Sequence, residues 1–71
     1  FKERPGSAAF AITDPDGKVL RGDAWLEGLP PPDAEMEFHS EEYAGTTWRI
    51  ARQRQQTVIG PVVIVVADGS D

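Results

Sequence analysis

The 71-residue chain is one domain at most, and its 39% hydrophobic and 27% charged residues are those of a globular sequence rather than a disordered one. Seven basic residues against twelve acidic ones leave a net charge of −5, which repels phosphate backbones and argues against nucleic-acid binding. With no cysteine and one histidine, His39, neither disulfide staples nor the usual structural zinc sites are available.

The longest apolar run, residues 62–67, is far too short to span a bilayer. A chain of this size buries roughly 6,900 Å² on folding by surface scaling. If about 60% of that is apolar, the gain is about 100 kcal/mol at about 25 cal/mol/Å². Ordering the chain at about 1.5 kcal/mol per residue costs nearly the same, so the domain is marginal by itself. The sequence starts at Phe1 and its only methionine is Met36, which leads us to expect a piece of a longer protein.

Residues 1–6 (FKERPG) are charged and end in Pro-Gly, an entry segment. Residues 7–13 predict a first strand, with Phe10 and Ile12 on one face and Ala9 and Ala11 on the other. Asp14-Pro15-Asp16-Gly17 suits a type I turn, and residues 18–22 return as a second strand. Residues 23–33 (DAWLEGLPPPD) form a connection. Trp25, Leu26 and Leu29 should anchor it, a short helical turn over residues 23–27 would have Asp23 as N-cap, and Pro30 to Pro32 should be extended.

Residues 35–43 alternate as a strand, with Met36 and Phe38 expected inward and Glu35, Glu37 and His39 outward. Such a charged face suits a sheet edge. After the Ala44-Gly45 turn, residues 46–56 form an amphipathic strand with Trp48 and Ile50 on one face and Arg49, Ala51 and Gln53 on the other. Gly60-Pro61 precedes residues 62–67 (VVIVVA), a β-branched run that predicts a central strand buried on both faces. Residues 68–71 are expected to leave the fold.

The fold class is mainly β or α+β: one five-stranded, mostly antiparallel sheet in the order 2-1-5-4-3. No amphipathic helix is present to cover one face. The cover should come from a helix preceding the sheet or from a second copy of the chain.

In the run from Phe10 to Asp23 an aromatic residue and a strand lead into Asp14-x-x-Gly17-x-Val19-Leu20-x-Gly22. This pattern resembles the opening of the extracytoplasmic sensor domains of bacterial two-component histidine kinases, the tricarboxylate-transport sensor kinases above all. The proline-rich loop, Tyr43-x-Gly45-x-x-Trp48-Arg49, and residues 60–67 follow in that family's order, so the resemblance covers about residues 7–67. It implies a reduced PAS-like sheet outside the inner membrane and a parent histidine kinase anchored in the membrane on both sides. It also implies a homodimer and a small-molecule or protein stimulus. The alternative from another class is a non-catalytic β-rich interaction domain cut from a larger soluble protein.

Arg49, Arg52 and Trp25 are the candidate ligand contacts. A guanidinium fork matches a carboxylate bidentately, and an indole stacks on a ligand's π face. The competing reading pairs the arginines with Glu35, Glu37, Glu41 or Glu42 across the ladder and puts Trp25 and Trp48 in the core. Of Arg49, Arg52 and Arg54, only Arg52 and Arg54 share a face by period two.

The acidic group of Asp33, Glu35, Glu37, Glu41 and Glu42 offers hard oxygen ligands for Ca²⁺ or Mg²⁺ but lacks the spacing of a known loop, and a solvated edge explains it more simply. His39 is a candidate pH sensor by residue type alone, against the plainer reading of an exposed histidine among acids. No catalytic set emerges. Among Ser7, Ser40 and Ser70 only Ser40 has a base nearby, and as the chain neighbour of His39 it points to the opposite face; Asp14 and Asp16 serve a turn. Gly-rich phosphate motifs are absent, so no cofactor is expected.

Overall fold

The computed structural model describes residues 8–30 and 32–70, so the readings of residues 1–7, Pro31 and Asp71 lie outside it. Five strands follow in chain order: β1 (Ala8–Thr13), β2 (Val19–Gly22), β3 (Met36–Tyr43), β4 (Thr46–Thr57) and β5 (Gly60–Ser70). They form one sheet in the order β2-β1-β5-β4-β3 with every neighbouring pair antiparallel, as the sequence predicts. A 3-10 turn at Ala24–Leu26 is the one helical segment among the described residues.

The first hairpin closes on Asp14. Its carbonyl accepts from the Gly17 N–H at 3.0 Å, and its carboxylate accepts from the N–H groups of Asp16 and Lys18, each at 2.9 Å. This is the turn chemistry that aspartate brings to its first position. Asp23 stands at the N-cap of the 3-10 turn as expected, but its carboxylate makes no cap hydrogen bond; it accepts the Phe10 N–H at 2.8 Å, while its own N–H donates to the Phe10 carbonyl. The side chain thereby prolongs the β1–β2 ladder where β2 stops.

β5 is longer than its apolar run. Gly60 and Pro61 lie opposite Thr57 and Gln56, and residues 68–70 remain paired with Arg49, Trp48 and Thr47 instead of leaving the sheet. The twelve-residue β4 offers a ladder partner along that whole length, and backbone polar groups left unpaired are costly.

Register divides the side chains into two faces. One carries Ala9, Ala11, Trp48, Ile50, Val63, Val65 and Ala67, and residues 23–30 and 32–33 of the connection fold back across it like a strap. Leu26, 1% exposed, plugs into this face, with Trp25 and Leu29 partly buried beside it. The alanines of β1 matter here because small side chains let the strap lie close to the sheet.

The other face is open, and here two expectations are corrected. Met36 and Phe38 do not point inward. Glu37 pairs with Arg52 and His39 with Ile50, so Glu37 and His39 take the covered side while Phe38, 74% exposed, faces out. Nor are residues 62–67 buried on both faces, for Val66 is 52% exposed. Alternation fixes which residues share a face but not which face is covered. Here the strap settles that.

Gly22 sits at φ 109° against β1, where a Cβ would come within 2.3 Å of the Phe10 carbonyl oxygen. Gly28, at φ 92°, has open space around it. Urea denaturation should show Gly28→Ala costing about 1–2 kcal/mol for backbone strain alone. Gly22→Ala should cost more than about 3 kcal/mol, since β2 must also move off β1. Leu26→Ala should cost about 2–5 kcal/mol by leaving a hole beneath the strap.

Candidate functional site: the strap and the open face

Prolines carry carbonyl acceptors but no N–H, so a Pro-rich segment lying on a protein surface needs donors from elsewhere. β4 supplies them from two arginines spaced by two residues. Arg52 is 4% exposed; its Nη1 donates to the Pro30 carbonyl and its Nη2 to Glu37 Oε2 at 2.7 Å. Arg54 Nη2 donates to the Pro32 carbonyl. The second oxygen of Glu37 accepts the Asp33 N–H at 3.0 Å. One guanidinium and one carboxylate thus hold the strap at both sides of its proline segment. A planar fork with fixed donors can reach two acceptors at once; a lysine ammonium offers only a flexible point charge.

Trp25 anchors the other half of the strap. Its ring stacks on Tyr43 with centroids 4.3 Å apart and planes 8° from parallel, and meets Trp48 at 4.9 Å with the planes tilted by 50°. Next to this cluster His39 lies between two carboxylates, Nδ1 3.8 Å from Glu37 Oε2 and Nε2 3.4 Å from Glu41 Oε2.

The open face carries Arg49. A hollow of about 490 Å³ there is bordered by Phe38, Ser40, Arg49, Ala51, Val66 and Asp68. A second, of about 440 Å³, lies toward the β4–β5 hairpin beside Ile12, Leu20, Ile59 and Ile64.

The three candidate ligand contacts therefore do not converge. Arg49 is exposed on the open face; Arg52 and Trp25 lie on the covered one, Arg52 engaged by Glu37 and Pro30 and Trp25 by aromatic neighbours. The cross-ladder pairing weighed from sequence is what Arg52 makes. Glu42 accepts instead from Thr47 Oγ1 at 2.8 Å. Among the described residues no three His, Asp or Glu side chains are grouped to hold a metal ion. The donation of Arg54 to Pro32 and the stacking of Tyr43 on Trp25 are not evident from the strand pattern. Period two places Arg52 and Arg54 on one side, and a triple proline short of donors was the available hint that this side faces the loop.

The family model described as the two-component sensor kinase N-terminal domain matches residues 2–71. The chain belongs to that family. No curated protein and no solved structure matches it. Membership in a sensor kinase family accounts for the order of turns and strands noted in the sequence, and it favours the sensor reading over that of a soluble adaptor.

In this sensor kinase domain Glu37 is the group whose ionisation the strap feels. The hydrogen bond from Arg52, then the Asp33 N–H, hold its carboxyl below the ordinary value of 4.5. The stability this contributes is complete above pH 4.5 and is lost as the pH falls through the lowered value. Thermal melts between neutral and strongly acidic pH should show Glu37→Gln with a smaller loss of stability below pH 4.5 than the parent.

Proposed function

We propose that the domain is the periplasmic sensing module of its kinase and that it transmits a stimulus across the inner membrane without chemical transformation of its own. The observation that carries this reading is the Arg52 clamp, which ties the strap to β4, the strand paired along its length with central β5. A sensor needs two arrangements whose balance a stimulus shifts. The strap seated on the covered face is one, and the strap lifted from it is the other. A small molecule or protein that engages the strap around Trp25 while competing for the donors of Arg52 binds the lifted arrangement better.

The consequence would leave through β5, which pairs with β1 on one side and β4 on the other and runs to Ser70. A parent anchored in the membrane on both sides would receive it at the strand's end. Arg49 and Arg52 occupy opposite faces of a sheet, so a tricarboxylate gripped by both is not supported. Ser40 and His39 lie on opposite faces and cannot act together as nucleophile and base.

In the full-length kinase in membranes, Arg52→Lys keeps the charge but not the fork. It should move the midpoint of the stimulus response by about tenfold, a typical size for a coupling free energy, with output normalised to the amount of folded kinase in the membrane. Val65→Asp should abolish folding, since Val65 is 1% exposed at the sheet centre. An Arg52→Lys response identical to wild type removes the strap mechanism. Stimulus dependence that survives deletion of residues 8–70 removes the sensing role altogether.

A further inference from the structure

We infer that the open face of the sheet is an interface, and that its occupant is the same face of a second copy of this chain. The apolar residues on it form a continuous field over all the longer strands: Phe10 and Ile12 on β1, Val66 and Ile64 on β5, Ala51 on β4, Phe38 and Met36 on β3. Phe10, Met36, Phe38 and Val66 are each at least 44% exposed. Single exposed apolar residues need no explanation, but a contiguous patch of this kind marks an interaction surface.

Charge selects the occupant. The chain carries −5 overall, so two copies meeting at random repel. On the open face, however, the register places Arg21 and Arg49 with Glu42 and Asp68, which balance. The acidic surplus lies elsewhere: Asp14, Asp16, Asp23 and Glu27 in the hairpin turn and strap, and Glu37 and Glu41 on the covered face. This is therefore a surface on which an acidic protein can meet its own copy without a charge penalty. A strongly basic partner or an anionic lipid surface would find no net charge to recognise there.

Size agrees. The molecule measures 39 × 22 Å in its two longer directions, and a face of that extent offers on the order of 800 Å², the share one partner contributes to a standard stable interface. Two sheets packed face to face about 10 Å apart interdigitate their side chains and supply a second layer over a face that the described residues leave open. A two-fold axis lying between the sheets brings the central strands of the two copies over one another. Val66, near the middle of β5, then approaches its own symmetry mate, and Phe38 fills the gap near the edge. This interface stands apart from the sensing role, because it concerns the face opposite the strap.

The test is site-directed cross-linking in the full-length kinase, with any cysteines outside this domain replaced; the domain itself has none. Val66→Cys should cross-link to its own copy with a short bis-maleimide, whereas Asp16→Cys, exposed in the hairpin turn, should not. Adding Phe38→Asp to Val66→Cys should cut the cross-linked fraction by about tenfold or more, since a charge would be buried in the interface. Phe38→Ser should do so more mildly. Cross-linking at residue 66 no greater than at residue 16, or unaffected by Phe38→Asp, overturns the proposal. So does a Val66→Cys thiol protected from maleimide without forming dimers, which would mean that another segment or a lipid surface covers the face. Kinase output is not read, so none of these outcomes bears on the sensing role.

Discussion

The fold turns on one buried guanidinium. A five-stranded sheet alone has two faces and no interior, and this one acquires an interior only because residues 23–33 lie across one side. That segment contains a triple proline, which cannot join a ladder and brings carbonyls without compensating N–H groups. Arg52, reaching from the fourth strand to the Pro30 carbonyl and to Glu37, converts an awkward segment into a fixed layer. Leu26 and Trp25 can then bury against alanine and valine instead of facing water. Removing the Glu37 carboxylate would leave the buried Arg52 guanidinium short of a partner, so both members matter to the layer.

The same constraint explains the unequal faces. Once the strap has chosen a side, the strands' alternation sends Ala9, Ala11, Val63, Val65 and Ala67 beneath it and Phe10, Phe38 and Val66 away. On β1 the small Ala9 and Ala11 suit the crowded side, where backbone and strap approach closely, while Phe10 stands on the open side. Among the described residues nothing lies over the apolar field of the open face.

For a sensor kinase domain this arrangement separates two tasks onto two faces. The strap side holds the apolar core, and the strap is clamped over it to β4 by a few directional hydrogen bonds, which are the kind of contacts a competing ligand can replace one for one. The open side is apolar and broad, and suits a non-directional contact of long lifetime. The central strand β5 contributes side chains to both, so a change on one face is felt by the backbone that supports the other.

Much of the architecture was readable in the residues. Asp14-Pro15-Asp16-Gly17 fixed the first hairpin, the β-branched run of β5 fixed the sheet centre, and together with the alternation of Trp48 and Ile50 they gave the strand order. Local chemistry decides those features: turn residues act within four positions, and period two sorts side chains without reference to distant partners. What only the tertiary structure decided was which sorted face would be covered. Met36 and Phe38 read as inward because they are apolar, and the strap overturned that. Arg49 and Arg52, both candidate ligand contacts, are separated by an odd spacing that already sends them to opposite faces. The match between proline carbonyls and the forked donors of Arg52 and Arg54 arises from residues 22 positions apart, a distance at which no periodic pattern carries information.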